Sequence, residues 1–143
     1  MITYKELKAK HQAEVNAFPL SAAFSNEQFT EMMTGWGFTE KETDKIYSIG
    51  NGCYIRRTDS PAFREMFNRH EQERNRAMES DKTGEGYIYQ MFAYELSNNE
   101  YGYTCELEAT LDALDLTFEQ AVQDKRLRCG LNKALKAYGK RRI

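Results

Sequence analysis

Apolar residues recur at helical spacing along most of this chain and at strand spacing in only a few short runs. The densest stretch is Tyr87 to Leu96, YIYQMFAYEL, where only Gln90 and Glu95 are polar. Ile88, Phe92 and Leu96 form one row at i, i+4, i+8, and Tyr87, Met91 and Tyr94 form another on a neighbouring face. A helix apolar on most sides is covered by its neighbours. The pattern therefore predicts a central helix at about 86–97, with Gly84 and Gly86 breaking the chain before it and Ser97-Asn98-Asn99 after it.

The flanking segments are more ordinary. Residues 3–17 read as an amphipathic helix with Tyr4, Leu7, His11 and Val15 on one side, stopped by the pre-proline Phe18. Residues 19–24 form a short apolar run between breakers and predict a strand. Ser25 or Asn26 then caps a helix carrying Phe29, Met32 and Met33 and ending at Gly35-Trp36-Gly37. Thr39 to Glu42 resembles a capping box opening one short helical turn. Ile46 to Arg57 carries two β-rich runs around Gly50-Asn51-Gly52 and predicts a hairpin. Ser60 caps and Pro61 opens a long helix to about Ser80, with Phe63, Met66, Phe67, His70, Ala77 and Met78 on its apolar side. The pairs Glu65–Arg69 and Arg69–Glu73 have the spacing to lace its other side. Tyr101 to Cys105 is β-rich and predicts a strand. Leu107, Leu111 and Leu114 mark a short helix, and Thr117-Phe118-Glu119-Gln120 is a capping box for another. Asp124 caps a last helix with Leu127, Leu131, Ala134, Leu135 and Tyr138 in one row. The expected fold is α+β: a helix-dominated single domain (1–143) around the central helix, with a small antiparallel sheet that includes the hairpin at about 46–57.

Composition changes this picture in one respect. The 143 residues are 41% hydrophobic and 29% charged, which suits a folded domain, and no window approaches a membrane span. The N-terminal MITYKELKAKHQ lacks the apolar run of a secretory leader, and three scattered cysteines form no CxxC pair. The expected compartment is the cytoplasm. The net charge of -2, however, is very unevenly distributed. Residues 1–82 hold 12 basic and 13 acidic residues, residues 83–124 hold nine acids and no Lys or Arg, and residues 125–143 hold eight basic residues and no acid. Local potential, not total charge, steers partners.

Catalytic motifs fail on residue type. His70-Glu71-Gln72-Glu73-Arg74 resembles a helical H-E-x-x-H, but Arg74 stands where the second ligand is needed and cannot bind zinc. His70 reads as a partly buried histidine on the apolar side of its helix. Cys53, Cys105 and Cys129 have no context that marks a nucleophile. Gly50-Asn51-Gly52 and Gly84-Glu85-Gly86 are too short for phosphate cradles. No cofactor or metal is expected.

Two electrostatic readings remain. The acidic stretch, with its interleaved tyrosines, suits an interface with a protein that has a basic surface. Its candidate residues are Glu95, Glu100, Tyr101, Tyr103, Glu106, Glu108, Asp112 and Asp115. Alternatively, Lys125, Arg126, Arg128, Lys133 and Lys136 of the last helix, followed by Lys140, Arg141 and Arg142, contact nucleic-acid phosphates.

The run Phe18…Ala23-Phe24-Ser25-Asn26-Glu27-Gln28-Phe29 is similar to the F-x-x-F-A-F-S-N-E-Q-F motif of a family of small uncharacterised proteins. These are carried by phages and mobile elements of gut bacteria. Asp44 to Gly50, Phe67 to Glu71, Tyr94 to Tyr101 and Ala113 to Thr117 resemble further blocks of that family. Leu20-Ser21-Ala22 replaces larger apolar residues, so the strand there is expected to be less buried. The resemblance implies an accessory role, with relatives among type II anti-CRISPR proteins. The expected function is a non-enzymatic protein that inhibits a host defence nuclease such as Cas9 through its acidic surface, with regulatory nucleic-acid binding as the alternative.

Overall fold

The computed structural model describes residues 2–139. The chain folds into two compact units, one of residues 1–12 with 72–143 and the other of residues 13–71. The boundary falls inside two helices, α1 (Tyr4–Ala17) and α3 (Ser60–Ser80). The architecture is helix-dominated α+β with one small antiparallel sheet.

The first unit is helical, comprising α4 (Tyr87–Asn98), α5 (Tyr101–Thr104), α6 (Glu108–Ala113), α7 (Phe118–Gln123) and α8 (Lys125–Leu135) with the ends of α1 and α3. As the hydrophobic pattern requires, α4 lies at the centre: Ile88, Phe92 and Leu96 are fully buried, packed with Leu7, Leu111, Ala121, Leu131 and Leu135. Two glycines let the backbones approach. A Cβ on Gly130 of α8 would lie 2.6 Å from the Gly84 carbonyl oxygen and from a methyl of Ile88. A Cβ on Gly84, whose φ is +88°, would lie 2.0 Å from the Arg126 carbonyl.

Caps close the helices where local sequence predicts them. Ser25 accepts from the Gln28 N–H, Thr117 and Gln120 form a full capping box, and Asp124 accepts from Arg126 and Leu127. The start of α4 is different. Its cap position is Gly86, so the acceptor comes from buried Asp81, which takes the N–H groups of Gly84 (2.9 Å), Gly86 (3.0 Å) and Ile88 (3.0 Å). Burial pushes the Asp81 carboxyl up, but these donors outweigh it and hold the pKa below the ordinary value.

The second unit holds β1 (Leu20–Ala22), α2 (Asn26–Gly35), β2 (Ile46–Gly50), β3 (Cys53–Arg56) and the first part of α3. The sheet order is β1-β3-β2, antiparallel throughout. The hairpin turns through positive φ at Gly50, Asn51 and Gly52, as its composition predicts. Directly paired residues share a face. Ile46 and Tyr54 therefore point to one side, where Ala23, Met32, Met33, Phe29 and Trp36 complete a small core. Tyr47 and Ile55 point to the other. β1 is half-buried, as its small residues suggest.

Three expectations are corrected. Tyr101 to Cys105 is not a strand: left-handed Glu100 and Cys105 bracket a single helical turn, and no strand lies beside it in the sheet. Thr39 to Glu42 forms only a turn, with the Glu42 carboxylate accepting the Thr39 N–H, and the short 3-10 segment begins at Thr43. Ser60 starts α3 directly from a preceding 3-10 turn and is not a separate cap.

Candidate functional site

The acidic segment divides into buried and exposed members. Glu95 is 1% exposed, and this corrects its placement on a contact surface. It sits on α4 among the residues that face the core. The Tyr4 hydroxyl (3.2 Å) and Lys8 Nζ (3.1 Å) donate to its Oε1, while its backbone carbonyl accepts from Asn99 (2.8 Å) and Thr110 (3.3 Å). Burial first, and then the Glu95 charge, push the Tyr4 hydroxyl well above its ordinary pKa, so it remains a donor. Tyr101 is also corrected: it is 6% exposed and packs edge-on against Tyr138 at 5.1 Å.

The remaining candidates reach water. Glu100, Glu106, Glu108, Asp112 and Asp115 are exposed, and Tyr103 is 91% exposed. Among the described residues none of these five carboxylates has an ion-pair partner. Local backbone explains the display. Residues 101 and 103 lie on opposite sides of a helical turn, so burying Tyr101 turns Tyr103 outward. Left-handed Glu100, Cys105 and Asp115 re-aim the chain at three corners of this stretch. Such conformations cost about 1–2 kcal/mol each for residues with a Cβ. An exposed tyrosine in a segment whose exposed carboxylates have no ion-pair partner among the described residues can stack on and hydrogen-bond a cationic surface.

The basic helix also divides. Lys125, Arg128, Lys133 and Lys136 are exposed, and Lys133 lies 4.5 Å over the Tyr89 ring. Arg126 is corrected to a structural role: its guanidinium donates to the carbonyls of Met78 (2.9 Å) and Asp81 (3.1 Å). Lys140, Arg141 and Arg142 lie outside the described residues.

The histidines are held by carboxylates. In the unit of residues 13–71, His70 is 1% exposed with Nε2 2.5 Å from Glu14 Oε2, and Arg69 donates to the same oxygen at 2.7 Å. Hydrogen bonds from Arg69 and then His70 lower the Glu14 pKa to about 2. An ionised Glu14 only accepts, so the proton sits on His70 Nε2. Within the other unit, His11 Nε2 lies 3.4 Å from Glu73, which also accepts from Lys10 at 3.0 Å. Among the described residues no group of three or more His, Cys, Asp or Glu is placed to hold a metal, and the three cysteines are free thiols.

One concave feature was missed from the sequence. An open groove of about 550 Å³ lies between the outer face of the hairpin and α3, lined by Tyr47, Ser48, Ile49, Ile55, Ser60, Phe63, Arg64, Phe67 and Asn68. The available signal was the Phe63–Phe67 pair at i, i+4, which only the folded hairpin completes.

Residues 3–137 match the model of a family of unknown function (DUF7659). The chain belongs to that family. The DUF7659 segment takes in the acidic stretch, the groove, all of α8 and the first two residues of the turn that follows it. No curated protein and no solved structure matches the chain. No helix among the described residues is long and apolar enough to cross a membrane.

Proposed function

We propose that this protein is a non-enzymatic binding protein that offers the acidic surface of residues 100–115 to a partner with a basic face. The carrying observation is that Glu100, Glu106, Glu108, Asp112 and Asp115 are exposed without an ion-pair partner among the described residues, in the same segment as an outward Tyr103. Charges left unneutralised on one molecule are available to another, and tyrosine is a frequent anchor at interfaces. In its most specific form this is an accessory protein of a phage or mobile element. Acting in the bacterial cytoplasm, it inhibits a host defence nuclease such as Cas9 by occupying the cationic groove made for nucleic acid.

The test is association with purified Cas9 at two salt concentrations, using wild type and a variant with Glu100, Glu106, Glu108 and Asp112 changed to Lys. The wild type is expected to associate with an on-rate that falls at least about tenfold at the higher salt. The variant is expected not to bind. Binding unchanged by the four reversals would rule out the acidic surface, and no binding by the wild type would remove Cas9 as the partner. The second reading, nucleic-acid binding through Lys125, Arg128, Lys133 and Lys136, is favoured by their shared exposure on or just after α8. It predicts a steep salt slope for DNA or RNA that is lost when these four become Glu.

A further inference from the structure

In the unit of residues 13–71, β2 is an edge strand, since β3 pairs with β1 on its other side. Beyond its ladder to β3 and a Gly50 N–H to Ser48 Oγ contact of 3.4 Å, the β2 backbone makes no hydrogen bond among the described residues. Exposed edges are normally blunted by Lys, Pro or a covering element. The opposite edge has Pro19 directly before β1; β2, IYSIG, follows directly on Lys45 and contains neither Lys nor Pro within the strand. A register irregularity between Ser48 and Gly50 leaves the regular edge at residues 46–48, the same length as the three-residue pairing by which β1 joins β3.

The groove opens beside this edge. Tyr47, Ile49 and Ile55 on the hairpin and Phe63 and Phe67 on α3 supply apolar and aromatic walls, with Tyr47 and Phe67 each about two-fifths exposed. Arg64 is the single charged residue among its lining, and it has no ion-pair partner among the described residues. A second cation, Arg57, stands next to the lining residue Tyr47, its guanidinium 5.4 Å from the ring centroid.

We infer that the β2 edge and this groove form a peptide-binding site that takes an extended segment of a partner protein by strand addition. The segment places an apolar or aromatic side chain between Tyr47 and Phe67 and an adjacent carboxylate on Arg64. Main-chain hydrogen bonds to the free edge supply affinity, and the pocket and the arginine select the side chains. The site is built from other residues than the acidic surface and has the opposite charge preference.

A random dodecapeptide display library selected on the immobilised full chain, with free chain as competitor, tests this. Enriched peptides are expected to alternate apolar and acidic residues. A synthetic peptide from the selection is expected to slow amide exchange within Ile46–Gly50 and to bind about tenfold or more weakly to Arg64→Glu and to Phe67→Ala. Both replaced side chains are exposed, and far-UV circular dichroism with the melting temperature checks that the variants stay folded. Failure to enrich any competed peptide overturns the site, as does a peptide whose binding survives both substitutions or protects amides elsewhere.

Discussion

The two units bury apolar residues to different degrees. The unit of α4 to α8 wraps a helix that is apolar on most faces and closes a continuous core around Phe92. The unit of the sheet gathers a four-residue buried cluster on one face of the hairpin; on the other Ile55 is buried, but Tyr47 and Phe67 stay exposed on the walls of an open groove. A helix of 3.6 periodicity that is apolar all round can only be satisfied by complete coverage. A three-stranded sheet with short strands can be satisfied on one face alone. An open apolar recognition surface is therefore expected in the second unit, whereas the first can offer contacts only through charged and polar groups outside its closed core.

The largest expected effect breaks the first unit. Phe92→Ala removes a fully buried ring and should lower unfolding free energy by about 3–5 kcal/mol in urea titrations. Met33→Ala, at the centre of the smaller cluster, should cost about 2–3 kcal/mol, because a small cluster relaxes more easily into the space. Equal losses would contradict the contrast. Next, Gly130→Ala sets a methyl against the Gly84 carbonyl and Ile88 and should cost about 1–3 kcal/mol; a neutral result would mean that α8 is free to shift. Phe67→Ala, half-exposed on the groove wall, should cost below about 1.5 kcal/mol while changing peptide binding strongly. The smallest effect is in pH dependence. Glu14 has a folded pKa depressed to about 2 from 4.5, so its contribution is present above pH 4.5 and lost as pH falls towards 2. The stability difference between wild type and Glu14→Gln should shrink across that window, and a difference independent of pH would disprove the Arg69 and His70 contacts.

Much of the fold was legible because its signals are local. The α4 rows, the Ser25, Thr117 and Asp124 caps, and the Gly50-Asn51-Gly52 turn each depend on residues within a few positions of one another. Tyr101 to Cys105 was misread because β-propensity records fit to a pleated, half-buried surface, and this segment meets no strand. The candidate surface was legible as a charge block but not as a face. Glu95 and Glu100 look alike in a chain without nearby cations, yet one lies in the core and the other in water.

The sequence by itself determined most of the helices, the Ser25, Thr117 and Asp124 caps, the hairpin and the separation of charge along the chain, since each follows from periodicity, backbone conformation or composition. Only the tertiary structure decided which charges are available. Glu95 is held by Tyr4 and Lys8, about ninety residues earlier, and Arg126 by the carbonyls of Met78 and Asp81. The groove likewise exists only where α3 meets the outer face of the hairpin. Burial and pairing depend on distances through space, which residues remote in the chain acquire only when it folds.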